Sequence, residues 1–384
     1  MIMIMSFFLE TWAGGVYPQH IAMVELLPLS CRGVNRCGVC GLAAVTVTLL
    51  LAGCALAEDS TTGPPTVVLV GATGNLAAKY LWQALFDMHQ RGLAGKIYGG
   101  GTKKPGHGSE ILQGILSTSL SCPETLGEDS AQCDAAMANF KAHVTYAQLR
   151  DEGNYVALAE MLRAGGGTPH GLLVYLSVSP DFYGSIAAHV GQYLRPVATS
   201  SGGWLRVVLE KPFGRDTASA AALAQAVDAE LESQQVCKVD HYLGKQAVQA
   251  IAAFRVANRD TYEPLLNAEH VERVELVMAE TEDCEGRTFF YERYGAVRDV
   301  LQNHVTTMLA LLAGELRGEG VGSLPWHEPD RTGLLQHISP AAMDAADFGQ
   351  YVGYDAHVSA DGGVLANAPT AASVHLRGQR RTQL

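Results

Sequence analysis

The chain has 384 residues, of which 48% are hydrophobic and 17% charged, a globular composition with room for two domains and a sizeable core rather than a disordered one. Its formal net charge of −12 excludes nucleic acid as the main partner, because no basic field offsets phosphate repulsion. A phosphorylated metabolite stays open, since only the charge inside its own pocket matters there.

The apolar run LAAVTVTLLLAGCAL spans Leu42 to Leu56, preceded by Arg32 and Arg36 and closed by Ala55-Leu56-Ala57 before Glu58 and Asp59. That is the pattern of a signal peptide, and the run is short for a spanning helix. Cleavage after Ala57 is the expectation: residues 1–57 form a leader, the chain enters a secretory compartment, and no stable membrane insertion remains. An uncleaved signal anchor is the alternative. Leu51-Ala52-Gly53-Cys54 also reads as a lipoprotein cleavage box, and Met23 offers a later start. Four cysteines fall in or before the leader, leaving Cys122, Cys133, Cys237 and Cys284. Cys122 and Cys133 either close an 11-residue step in an oxidising lumen or stay as two inert thiols.

Residues 58–65 are a linker. Thr66 to Val70 is a continuous apolar run, as expected of a buried parallel strand, and it ends in Gly71-Ala72-Thr73-Gly74. Apolar residues at helical spacing follow from Leu76 to Gln90, then a second strand-like piece from Lys96 to Tyr98, which completes a βαβ unit. Leu172–Ser177 and Leu205–Leu209 read as further buried strands, and Ser185–Tyr193 and Ala218–Leu231 as helices. This order predicts a Rossmann-like α/β domain over 66–240. A helix-like segment runs from Lys245 to about Asn258, and His270 to Met278 then alternates like a half-exposed strand. That change of period suits an α+β second domain with a mainly antiparallel sheet over 241–384. Asp299 to Leu312 is a strongly apolar helix.

Four stretches carry chemistry. Gly71-Ala72-Thr73-Gly74 lies between a strand and a helix, where a helix N-terminus offers N–H groups and a positive dipole end to a pyrophosphate. It lacks the full G-x-G-x-x-G, so its placement is what supports nucleotide binding over a plain turn. The stretch after the second strand, Tyr98 to Lys104, holds neither a carboxylate for a ribose hydroxyl nor an Arg for a 2′-phosphate, only Lys103 and Lys104. It predicts relaxed discrimination between NAD and NADP.

Glu210-Lys211-Pro212-Phe213-Gly214 follows a buried strand at the carboxyl end where ligands sit in open α/β sheets. Lys211 there either bridges cofactor and substrate or sits in a structural ion pair. Val239-Asp240-His241-Tyr242-Leu243-Gly244-Lys245 packs donors of different reach and charge into seven residues, which suits a sugar phosphate; a solvated loop is the bland reading. Arg298-Asp299 and Asn303-His304 supply an Asp–His pair of the kind a general base needs, although residues five apart do not share a face in a regular helix. A core histidine with a satisfied partner is the competing reading.

Together and in this order, Gly71 to Lys79 (GATGNLAAK), Glu210 to Gly214 (EKPFG), Val239 to Lys245 (VDHYLGK), and Glu285-Gly286-Arg287 with Arg298 to His304 (RDVLQNH) resemble the glucose-6-phosphate dehydrogenases. The resemblance covers roughly 66–316 and continues weakly to about Arg377. The leader and Trp204 to Gly214 look most like the endoplasmic-reticulum hexose-6-phosphate dehydrogenases, where the dehydrogenase is followed by a 6-phosphogluconolactonase.

The resemblance implies oxidation of glucose 6-phosphate, or of other hexose 6-phosphates, at C1 to the 6-phospho-1,5-lactone. Hydride passes to NADP or NAD, as in the first step of the pentose phosphate pathway, and no metal is required. It implies His304 as the general base, oriented by Asp299. His241, Tyr242, Lys245, Lys211, Glu280 and Asp299 would hold the substrate. Gly71, Thr73, Gly74, Asn75, Leu76, Tyr183 and Lys211 would hold the cofactor. Asn75 departs from the family's usual Asp. The family is homodimeric through the large second-domain sheet. Against the family this chain reads as truncated at its C-terminus, so a catalytically inactive fragment that only binds nucleotide or a partner is the alternative. The lumen of the endoplasmic reticulum is the expected location.

Overall fold

The computed structural model describes residues 2–8, 23–24, 63–122, 130–165, 170–200, 202–243, 245–267, 269–271, 273–279, 283–314, 331–339, 346–362 and 373–376. The apolar run of the expected leader, and Gly244 and Glu280 among the expected site residues, lie outside these. Among the described residues no helix is long and apolar enough to cross a membrane. The chain divides into two compact units, 34–245 and 1–33 together with 246–384.

The first unit is built on β1 (Thr66–Val70), β2 (Ile97–Gly101), β3 (Val144–Gln148), β4 (Gly171–Leu176), β5 (Trp204–Glu210) and β6 (Val236–Val239). They form one parallel sheet in the order β3-β2-β1-β4-β5-β6. That is the strand order of the dinucleotide-binding doubly wound sheet, with its topological switch between β1 and β4. Helices α1 (Trp82–Gln90), α2 (Pro105–Ser119), α3 (Ser130–His143), α4 (Glu152–Ala164), α5 (Tyr183–His189) and α6 (Thr217–Asp228) connect the strands.

Strand alternation explains why β1 is apolar throughout. Val67 and Leu69 enter one core with Trp82, Phe86 and Leu112, while Val68 and Val70 enter the other with Leu158, Tyr183 and Leu194. A strand covered by helices on both faces has no solvated side to mark with polar residues. Cys122 and Cys133 are joined in a disulfide, with Cα atoms 5.7 Å apart, closing the step into α3.

The second unit contains α7 (Gln246–Ala257), β7 (Arg273–Ala279), α8 (Thr288–Ala296), α9 (Thr306–Ala313) and α10 (Tyr354–Ala360). Pairing here is antiparallel: β7 with Ile2–Phe8, and Ala346–Gly349 with Ser373–Leu376. Buried Arg255 on α7 ties this unit together. Its Nε and Nη2 both donate to Glu263 at 2.8 Å, and Nη1 donates to the carbonyls of Leu311 and Gly314 at 2.6 and 3.0 Å. The guanidinium thus satisfies carbonyls at the end of α9 that no helical N–H can reach.

Candidate active site

The turn after β1 is fixed by backbone contact. Gly71 has φ +90°, and a Cβ there would lie 2.1 Å from the Ser177 carbonyl oxygen, so only glycine lets the ends of β1 and β4 approach this closely. Gly71 and Ala72 N–H donate to the Gly100 carbonyl at 2.9 Å each, and Gly74 N–H donates to Gly71 O at 2.9 Å. From below, the buried Trp82 indole donates to Ala72 O at 2.9 Å. Asn75 and Leu76 open the helix and are exposed, with Thr73 and Gly74 half-buried beside them. The turn therefore presents a helix N-terminus at the switch point of the sheet, where unsatisfied N–H groups meet a pyrophosphate.

Ser177, the residue after β4, adds a contact that sequence reasoning passed over. Its Oγ is buried and has no hydrogen-bond partner, next to the Gly71 turn. An orphaned hydroxyl at that place fits a bound nucleotide, which would supply the missing partner. Its position one residue beyond the switch-point strand is the sequence signal that could have found it.

The second cluster stands at the ends of β5 and β6. Glu210 pairs with Val239 in parallel register, so the residues just beyond them, Lys211 and Asp240, leave the sheet side by side. Glu210 is buried and accepts from the Tyr175 hydroxyl on β4. Burial pushes its carboxyl above the usual range, Asp240 adds to that, and Tyr175 and Lys211 act against it. The Lys211–Pro212 bond is cis, and Gly214, at φ +92°, passes within 2.6 Å of Ala220 N measured from a built Cβ. Tyr183 is fully buried and donates to Glu210 O at 3.0 Å, so its hydroxyl braces this strand end from within the core.

The heptad itself is a tight turn. Asp240 Oδ1 accepts Tyr242 N–H at 3.0 Å, Asp240 O accepts Leu243 N–H at 3.0 Å, and Tyr242 O accepts Lys245 N–H at 3.1 Å. Tyr242 is buried and forms a platform: Lys245 Nζ lies 3.4 Å from its ring centroid, and the His241 ring 5.3 Å from it. The Lys245 ammonium is thus held over an aromatic face. His241 and Lys245 are half-buried rather than fully solvated.

The third element, in the second unit, corrects the geometry expected from a regular helix. Residues Val297–Val305 form a π-helix between α8 and α9. Asn303 Nδ2 donates to the carbonyls of Asp299 at 2.8 Å and Arg298 at 3.2 Å, and Thr306 Oγ1 donates to Leu301 O at 2.7 Å. The i→i+5 register sets position 304 over position 299, so Asp299 and His304 share a side of the helix after all. His304 is buried and Asp299 half-buried. Elsewhere in this unit Asp283, Glu285 and His357 bring ligand atoms within 4.8 Å of one another at the surface, a grouping common without an ion.

Comparison with known proteins follows these outlines. Residues 68–250 match the family "Glucose-6-phosphate dehydrogenase, NAD binding domain", and residues 252–356 match "Glucose-6-phosphate dehydrogenase, C-terminal domain". The GDH/6PGL endoplasmic bifunctional protein of Oryctolagus cuniculus is 42% identical over 287 residues, 73% of this chain and 35% of that protein. Its Homo sapiens counterpart is 40% identical over 322 residues, 82% of this chain and 40% of that protein. The chain thus spans between a third and two fifths of the length of these two relatives. A solved glucose-6-phosphate dehydrogenase in complex with its substrate glucose-6-phosphate superposes with a TM-score of 0.64 at 26% identity, over 77% of this chain and 60% of that one.

Proposed function

The chain belongs to the glucose-6-phosphate dehydrogenase family, and on that premise we propose that it oxidises glucose 6-phosphate, or a related hexose 6-phosphate, at C1 to the 6-phospho-1,5-lactone. The observation that carries the reading is the register of β5 with β6, which sets Lys211 beside Asp240 and the Tyr242–Lys245 platform at the carboxyl end of the sheet. NADP or NAD would be held by Gly71, Thr73, Gly74, Asn75, Leu76 and Ser177 at the switch point; when bound, its nicotinamide supplies the hydride acceptor.

The chain's own residues divide the remaining work. His304 takes the C1 hydroxyl proton on a ring nitrogen as the C1–H bond gives up hydride, and the two losses leave the lactone carbonyl. Asp299, one π-turn before it, holds the imidazole in the orientation that accepts the proton. His241, Tyr242 and Lys245 bind the phosphate through ammonium, imidazole and phenol donors, with Lys211 contacting both substrate and cofactor and Glu280 accepting from sugar hydroxyls. The second unit would also make the homodimer contacts of the family.

The test mixes the purified chain with NADP or NAD and glucose 6-phosphate and follows the reduced-nicotinamide absorbance. Turnover supports the reading. Nucleotide binding without turnover would instead identify an inactive, nucleotide-binding form.

The lumen of the endoplasmic reticulum is the proposed location. Its supports are the likeness to the two endoplasmic bifunctional proteins and the Cys122–Cys133 bridge, a bond that persists in oxidising compartments. Protease protection in intact microsomes checks it, and recovery of the chain in the cytosolic fraction would contradict it.

A further inference from the structure

We propose that Glu210 is a positioning residue for Lys211: its buried carboxylate, held by the Tyr175 hydroxyl, aims the lysine at the space that substrate and cofactor share. The proposal rests on the reading that Lys211 binds glucose 6-phosphate and NAD(P).

Placement is the first argument. Tyr175 on β4 pairs with Val208 on β5 in parallel register, and both side chains enter the core that holds Trp82 and Phe86. Glu210, two residues past Val208, points to the same face by strand alternation. The Tyr175 phenol therefore runs along that face to reach the Glu210 carboxylate. From the opposite core, the Tyr183 hydroxyl donates to Glu210 O at 3.0 Å. Residue 210 is thus gripped from both faces, by side chain and by backbone, one residue before Lys211.

Chemistry is the second. Burying a carboxylate is costly, and Val208 shows that this face of β5 accepts an apolar side chain. Stability alone does not account for an acid here. What the Glu210 carboxylate adds is a hold on Lys211: it accepts the Lys211 N–H and attracts the Lys211 ammonium. Asp240, at the end of β6, is close enough to act against that charge, and Lys211 is the cation that offsets it. A lysine tied at its N–H and drawn at its ammonium keeps fewer of the rotations of its long side chain, so less freedom is lost when it meets a ligand.

Calorimetric titration of the full chain with glucose 6-phosphate, in the absence of nucleotide, tests this in Glu210→Gln, Tyr175→Phe, Lys211→Ala and the two double variants that add Lys211→Ala. Glu210→Gln keeps the shape and removes the charge, and it should weaken glucose 6-phosphate by about ten-fold. Tyr175→Phe removes only the hydroxyl that holds the carboxylate and should weaken it by about three-fold. In the Lys211→Ala background neither substitution should cost anything more, because a residue that acts through Lys211 has nothing left to position. A merely structural role would lower the melting temperature and add its loss to that of Lys211→Ala. Additive losses in the double variants therefore overturn the proposal, as does native affinity in a folded Glu210→Gln. Should Glu210→Gln not fold, Tyr175→Phe decides, and native affinity there overturns the proposal. A native chain that binds no glucose 6-phosphate overturns the substrate reading itself and the proposal with it, a result distinct from these.

Discussion

Asp299 and His304 stand one π-turn apart, on the same side of the widened helix Val297–Val305. The widening is held by the Asn303 side chain, whose amide donates to the carbonyls of Arg298 and Asp299, five and four residues back. An ordinary α-helix would rotate the carboxylate away from the imidazole. His304→Ala is expected to lower kcat by about 10²–10⁴-fold, the range for a lost general base. Asn303→Ala separates geometry from chemistry: it keeps both Asp299 and His304 but removes the ties that favour the π-turn. We expect kcat to fall while the far-UV spectrum stays helical. Full kcat in the Asn303 variant would show that the π-register is not needed to orient the base.

At the switch point, two substitutions should act in opposite ways. Gly71→Ala places a Cβ 2.1 Å from Ser177 O at a backbone angle that alanine resists, so both thermal stability and NADP affinity should drop. Ser177→Ala removes a buried hydroxyl that has no protein partner, so stability should hold or rise slightly. NADP affinity should nonetheless fall about five- to ten-fold, the worth of one hydrogen bond. Unchanged affinity in titrations of Ser177→Ala would remove that hydroxyl from the cofactor contact set.

The contrast between these two sites shows what was legible in the sequence. β1 and β4 are buried on both faces and so are nearly all apolar, and β5 carries the buried run Val207–Leu209, which is why they stand out as strands. The edge strands β3, with Thr145 and Gln148, and β6, with Lys238, lack that run, and neither was distinguished from its surroundings. The Gly71 turn, Lys211 and the Val239–Lys245 heptad are local motifs and were readable as such. The π-helix that carries Asp299 and His304 is not anticipated by period-3.6 reasoning.

In the second unit, Arg255→Ala is expected to cost about 3–5 kcal/mol in chemical denaturation, the range for breaking a buried ion pair from one side. The substitution leaves Glu263 and the Leu311 and Gly314 carbonyls without their donor. A change under about 1 kcal/mol, as for an exposed pair, would mean that the clamp is solvated in solution.

The Cys122–Cys133 bridge is testable by thiol labelling of unfolded, unreduced protein. Cys237 and Cys284 should react with maleimide, whereas Cys122 and Cys133 should react only after reduction. Reduction should also cost about 3 kcal/mol, from the entropy regained by a loop of this size in the unfolded chain. Labelling of Cys122 and Cys133 before reduction would mean that the two remain thiols.

Asp361 gives the second unit an acid limit. Its carboxylate accepts the Thr288 hydroxyl at 2.5 Å, Thr288 N–H at 3.1 Å and Gly286 N–H at 3.0 Å, holding the start of α8 and the Gly286-Arg287 stretch in place. The Thr288 hydroxyl is the main cause that holds its pKa below the usual carboxylate value, with the two N–H donors and His357 acting in the same direction. A carboxyl with a depressed folded-state pKa stabilises fully above its unfolded value, near about pH 4, and loses that contribution as pH falls through the folded value. The melting temperature of Asp361→Asn should therefore lie below that of the native chain at pH 7, and the gap should close as pH falls below about 4. A gap that stays constant with pH would show that the carboxylate charge contributes nothing to holding α8.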